Sequence, residues 1–205
     1  MICPRFVFMD CLDNRGSAKA GPSVLYLLLF CVIFGLLNES KLNYMHIKVG
    51  QKAPDFTLYD TEKQTFTLSE WEGKKNILIL FFPMAFTGVC TKELCSIRDQ
   101  YNHYNTDHLQ VIGISVDSVF SLQKFKEEQH YQFPLLSDFN KTVSTAYGCI
   151  YESFTPMDMK GVSKRSAFLI DKKGLVQYAE VLENAGDLPD FEAIDKKIAE
   201  LSSFL

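Results

Sequence analysis

Two cysteines five positions apart, Cys90 and Cys95 in "FFPMAFTGVCTKELC" (81–95), are the residues whose type and setting could do chemistry. An apolar run ends at Pro83 and a helical pattern begins near Thr87, which puts Cys90 in the first helical turn. A sulfur there meets unpaired backbone N–H groups and the positive end of the helix dipole, and both favour the nucleophilic thiolate. Thr87, three residues earlier, stands where it can cap the helix or offer a hydroxyl to whatever approaches the sulfur. Pro83 is placed to shape and shield the pocket. The competing reading of Cys90 is an inert core cysteine at an ordinary strand-to-helix junction.

On a helical wheel, Leu94, Ile97, Tyr101 and Tyr104 fall within roughly 40° of Cys90 and form an apolar stripe. Cys95 lies about 140° away, among Lys92, Arg98, Asp99 and Asn102, so it is expected on the polar side. In an intact helix the two Cα atoms would be roughly 8.6 Å apart. A disulfide needs less than about 7 Å, so the pair can bond only if the first turn unwinds. The spacing therefore suggests a switch that is helical when reduced and locally melted when oxidised, against the alternative that Cys95 is a plain surface cysteine.

Other chemistries find less support. A net charge of -4 without a long Lys/Arg block excludes nucleic-acid binding on electrostatic grounds. The six cysteines (Cys3, Cys11, Cys31, Cys90, Cys95, Cys149) are too few and too uneven for a disulfide scaffold, and there is no C-x-x-C. Cys149, in "AYGCI", reads as a core or near-surface residue. His46, His103, His108 and His130 are scattered, and each reads as a surface or linker residue rather than a ligand.

The elements that must position these residues follow from periodicity. "DFTLYDTEKQTFTLSEW" reads as two short strands around a polar turn, and "NILILFF" (76–82) as a buried central strand ended by Pro83. A helix is expected over 87–104, a second buried strand in "LQVIGISVDS", and a helix in "VFSLQKFKEEQ" capped by Asp117 or Ser118. "FPLLSD" is a third strand, followed by a short helix at 142–147. "SAFLID" and "LVQYAEV" make a hairpin across 172–174, and "DFEAIDKKIAELSSFL" closes the chain as an amphipathic helix. This alternation implies an α/β domain of three layers with a mixed sheet.

Residues 1–44 differ in character. An uninterrupted apolar run, 24–37, has the length of a signal-peptide core but falls short of the ~20 residues of a spanning helix. No small-residue cleavage site follows it, and Asp10 and Asp13 interrupt the upstream region. We treat 1–44 as an extension outside the catalytic fold and 45–205 as the domain. A chain starting near Met45 would be cytoplasmic; a functional 24–37 segment would make it membrane-anchored or exported, with membrane contact only in that case.

Pro83, Thr87 and Cys90, with the spacing P-x-x-x-T-x-x-C in "PMAFTGVC", closely resemble the active-site signature of peroxiredoxins, the thiol peroxidases of the alkyl hydroperoxide reductase and thiol-specific antioxidant superfamily. The resemblance extends through "VGQKAPDFTLYD", "VIGISVDS", "FPLLSD" and "KRSAFLIDKKGLV". It implies a thioredoxin-like fold in which Cys90 is the peroxidatic cysteine, Thr87 and Arg165 its activating partners, and Pro83 its shield. A fixed guanidinium beside the sulfur would hold the thiolate and bind peroxide oxygens through its donor fork. Glu93 matches a position where many members carry a glutamate that orients this arginine. Lys164, next to Arg165, reads as a solvated charge.

"AFTGVC" resembles the alkyl hydroperoxide reductase E type, whereas a cysteine five residues on resembles the bacterioferritin-comigratory (Q) type. If Cys95 resolves, the Cys90 sulfenic acid condenses with it and a dithiol such as thioredoxin reduces the disulfide. If not, the reductant attacks the sulfenic acid directly, or Cys149 serves. The implied activity is a thioredoxin-dependent peroxidase for hydrogen peroxide and organic hydroperoxides, needing no metal, haem or flavin and working as a monomer or homodimer. The alternative is a peroxide sensor or relay that oxidises partner proteins through the same cysteine. General disulfide exchange is disfavoured by the missing C-x-x-C.

Overall fold

The computed structural model describes residues 47–202; the extension 1–44 and its apolar run lie outside the described residues. The domain is organised around "NILILF", the strand β3 (Asn76–Phe81), in which every residue is buried. Its side chains alternate between two cores, as a period of two requires. Leu78 and Leu80 enter one core, and Ile77, Ile79 and Phe81 the other. A strand buried on both faces reads as a continuous apolar run, which is why it was visible in the sequence.

Around β3 lie β1 (Thr57–Asp60), β2 (Thr65–Thr67), β4 (Leu109–Ser115), β5 (Leu135–Ser137), β8 (Ser166–Ile170) and β9 (Val176–Val181). They form a seven-stranded sheet in the order β2-β1-β5-β4-β3-β8-β9. The β3/β4 and β4/β5 pairs are parallel and the other pairs antiparallel, so the sheet is mixed as expected. One face is covered by α1 (Gly88–Asp99), α3 (Val119–Gln129) and α5 (Phe191–Ser202); the other by α4 (Thr142–Ala146) and a 3-10 turn at Leu68–Trp71. The 3-10 turn and a small separate hairpin, β6 (Ile150–Tyr151) with β7 (Val162–Ser163), were not foreseen. Two-residue strands carry no readable periodicity.

Two expectations need correction. The helix foreseen over 87–104 stops at Asp99: Gln100 leaves helical geometry (φ -115°, ψ 28°), and α2 (Tyr101–Tyr104) is a separate turn. Tyr104 still reaches the core, so the break re-aims the chain without losing its apolar anchor. Of the two caps considered for α3, Ser118 fills the position, its hydroxyl accepting from Ser121 N, while Asp117 accepts from Ala85 N and Ser115 Oγ instead.

Gly113 explains itself at the centre of β4. A Cβ there would lie 2.7 Å from Leu135 Cδ2 and 3.3 Å from Phe82 Cε1, both in fully buried side chains. We expect Gly113→Ala to destabilise the fold by about 1–3 kcal/mol through overpacking, read as a lower urea midpoint with an unchanged slope.

Candidate active site

β3 and β4 run parallel and deliver their C-terminal ends to one place, where ligands bind in open α/β sheets. Phe82 N donates to Ile114 O at 3.0 Å, and Pro83, which has no N–H, ends the ladder. The turn that follows is held from β4's side. Asp117 Oδ2 accepts from Ala85 N (2.8 Å) and from Ser115 Oγ (2.8 Å), tying the active-site turn to the neighbouring strand end. Phe86 takes a left-handed backbone (φ 63°), uncommon for an aromatic residue, and rests its half-exposed ring on Phe125 at 4.9 Å.

Thr87 occupies the N-cap of α1 but does not cap with its side chain: its hydroxyl donates to Met84 O at 2.9 Å. Of the two roles foreseen for it, side-chain capping is therefore not the one taken. Cys90 follows in the first turn and is 1% exposed, on the same buried stripe as Leu94 and Ile97. Pro83 is buried at the strand end.

Arg165 arrives by strand register. β8 pairs antiparallel with β3, placing Phe81 opposite Ser166, so Arg165 flanks the end of β3 where the chain turns toward Cys90. Its Nη2 lies 3.3 Å from Cys90 Sγ and 3.0 Å from Ala185 O, and its Nη1 donates to Glu93 Oε2. Both members of that ion pair are buried, at 1% and 0% exposure. The resemblance to peroxiredoxins, not the residue pattern itself, implies Arg165 and Glu93 beside Cys90, and the structure brings the three together; neither pointed to Ala185 O, which comes from a loop with no motif. Lys164, expected to be solvated, is instead half-buried, with Nζ 2.7 Å from Glu183 Oε1 and 5.6 Å above the Tyr151 ring. Alternation along the chain explains the difference between neighbours, since successive side chains point to opposite faces.

The other two cysteines among the described residues separate clearly; Cys3, Cys11 and Cys31 lie outside them. Cys95 departs from expectation: it is half-buried and packs against the α1-side core, with Sγ 3.7 Å from Gln129 Oε1 and 3.8 Å from the Tyr131 hydroxyl. The wheel found its direction correctly but could not know that Gln129 and Tyr131 would cover that side of α1. Cys149 is fully buried in the core on the opposite face of the sheet from Cys90, and burial pushes its thiol well above the ordinary value. Cys90, Cys95 and Cys149 are all free thiols. His103 and His130 serve as structural residues, one facing Asp195 at 3.0 Å and the other ending α3 in a left-handed turn.

A buried thiol at a helix N-terminus, gripped by a buried arginine at the end of a thioredoxin-type mixed sheet, defines a cysteine-based redox enzyme. Residues 49–179 match the AhpC/TSA family, and the chain belongs to it, within the peroxiredoxin superfamily. It is 35% identical over 159 residues to "Alkyl hydroperoxide reductase E" of Mycobacterium tuberculosis, covering 77% of this chain and 99% of that one. It is 40% identical over 133 residues to "Putative peroxiredoxin bcp" of Coxiella burnetii, covering 64% and 87%. Among solved structures it resembles peroxidoxin BcpB from Mycobacterium tuberculosis, with a TM-score of 0.65 and 30% identity over 78% of this chain and 99% of that one.

Burial raises the Glu93 carboxyl from its ordinary value to about 7, against the opposing pull of Arg165. The pairing is end-on: Glu93 Oε1 and Arg165 Nε make no hydrogen bond within the described protein, so the desolvation is only partly offset. A carboxyl raised in the folded state binds its proton more tightly there than in the unfolded chain. Its stabilising contribution is thus full below about pH 4.5 and is lost as pH rises through about 7. We expect the stability of the wild type relative to Glu93→Gln to fall across that window, by no more than about 1.4 kcal/mol per pH unit. Parallel urea titrations at several pH values measure this; a difference flat in pH would show that Glu93 stays ionised throughout.

Proposed function

We infer that this chain is a thiol-dependent peroxidase in which Cys90 is the peroxidatic residue, and that Cys95 resolves it. The observation that carries the reading is the Arg165 Nη2 to Cys90 Sγ contact of 3.3 Å at the first turn of α1. A permanently charged guanidinium and the helix N-terminus both stabilise negative charge on that sulfur. The Thr87 hydroxyl hydrogen is committed to Met84 O, so its oxygen is free to accept from an incoming peroxide O–H. Glu93 and Ala185 O aim the arginine.

The Cys90 thiolate then attacks the distal peroxide oxygen. The S–O bond forms as the O–O bond breaks; the alkoxide or hydroxide leaves and takes up a proton as alcohol or water, and Cys90 becomes the sulfenic acid. Arg165 donors near the breaking bond are in place before reaction and need no reorganisation. Cys95 is the better resolving partner than Cys149, which sits in the other core with its thiol held protonated by burial. A thioredoxin-like dithiol returns the disulfide to two thiols. Hydrogen peroxide and organic hydroperoxides are the substrates of this scheme.

Cys90→Ser is expected to abolish peroxide reduction. Arg165→Met should slow the first turnover about 100- to 1000-fold, as for loss of a preorganised donor at a developing oxyanion. The check is rapid-mixing consumption of hydrogen peroxide and cumene hydroperoxide, followed by thioredoxin-coupled NADPH oxidation. Retained activity in Cys90→Ser would refute the assignment, and wild-type oxidation that stops after one equivalent would favour a relay over an enzyme.

A further inference from the structure

The two halves of α1 are tied to different parts of the molecule. Its first half is intrinsically weak: no side chain caps the N-terminus, no acid lies in the first turn, and Gly88, Val89 and Thr91 are poor helix formers. What holds it is Arg165, through Cys90 and Glu93. Oxidation of Cys90 replaces a thiolate by a neutral sulfenic acid and so weakens a charge-assisted contact.

The second half is fastened elsewhere. Leu94 and Ile97 are fully buried, and Arg98 Nη1 donates to Gln129 O at 2.8 Å. Cys95 Sγ meets Gln129 Oε1 and the Tyr131 hydroxyl. That anchor is itself closely packed. α3 ends in a left-handed His130, with Tyr131 N donating to Lys126 O at 3.1 Å, and the Tyr131 ring is wedged against Phe125 (5.2 Å) and Phe133 (5.3 Å). Burial, and then its contact with Cys95, push the Tyr131 phenol well above its usual value, so it remains a hydrogen-bond donor at neutral pH. Arg98, one turn beyond Cys95, is paired with Asp99 through Nε and Nη2, each 2.8 Å from Asp99 Oδ1, which leaves Nη1 for the Gln129 carbonyl.

We propose that Gln129, Tyr131 and Arg98 are positioning residues that hold Cys95 as the stationary partner of the disulfide, while Cys90 travels to it on the unwinding first half of α1. This rests on the peroxidase reading above. In the step itself the S–S bond forms as the Cys90 S–O bond breaks. The hydroxide leaves with the Cys95 proton as water, the Cys90 sulfur is reduced and the Cys95 sulfur oxidised. A stationary Cys95 keeps the Tyr131 hydroxyl beside the sulfur as the thiol gives up its proton in this step, and Arg98 holds the Gln129 end of the cradle in place.

Hydrogen-exchange mass spectrometry on the full chain, reduced and after one equivalent of hydrogen peroxide, tests this without any substitution. Exchange is expected to rise over 84–97, since the amides of 94–97 donate to carbonyls of the opening segment, and to stay protected over 98–104 and 126–133; opening of either of the latter two segments on oxidation would overturn the proposal. Tyr131→Phe and Arg98→Met should each slow disulfide formation about fivefold, the equivalent of one hydrogen bond of about 1 kcal/mol. Both should divert more Cys90 to sulfinic acid at high peroxide, and Arg98→Lys should restore the wild-type partition. An unchanged partition in both variants would sink the proposal. Peroxide lost in the first turnover reports on the peroxidase reading alone: a Cys90 sulfenic acid that forms and persists beside a free Cys95 overturns the positioning role and leaves that reading standing.

Discussion

A guanidinium and a carboxyl taken entirely out of water are the most demanding feature of this domain, and the Arg165–Glu93 pair, with the carboxyl raised to about 7 by burial, is where they occur. An isolated buried ion of either sign costs several kcal/mol, so each residue is tolerable only because the other is there. The requirement propagates outward. β8 must keep its register with β3 for Arg165 to arrive at the strand end, and α1 must begin where Cys90 and Glu93, three residues apart, face the same guanidinium. A slip of one residue in that pairing would turn the arginine to the other face.

The same pair connects stability to chemistry. An arginine satisfied only by a carboxylate would be a structural residue; here its other nitrogen is shared between Cys90 Sγ and Ala185 O. The contact with Cys90 is one of the few that hold the uncapped, glycine-led first turn of α1. In the proposed cycle, oxidation of the sulfur weakens that contact. The sheet supplies position, and in the proposed cycle the weak first turn supplies the freedom that a disulfide between Cys90 and Cys95 requires.

Much of this could be read along the chain. Strands buried on both faces announce themselves as apolar runs, and the strand-to-helix junction at Pro83 was plain because proline ends a ladder and threonine favours a helix start. The break at Gln100 was hidden, since the apolar stripe continues through it to Tyr104. Lys164 and Arg165 look alike in one dimension, and only the resemblance to peroxiredoxins ranked them. The cover over Cys95 could not be seen, because Gln129 and Tyr131 lie more than thirty positions away and carry no motif.

Read along the chain alone, the residues already place a cysteine in the first turn of a helix, a threonine three residues before it, and a second cysteine out of disulfide reach while that helix is wound. Those are local consequences of helical periodicity and hold in any fold. Only the tertiary structure decided which arginine nitrogen meets the sulfur, that Cys149 lies behind the sheet, and that Cys95 is cradled instead of exposed. These depend on strand register and on which distant segment packs against which face, quantities set by burying the whole apolar surface at once.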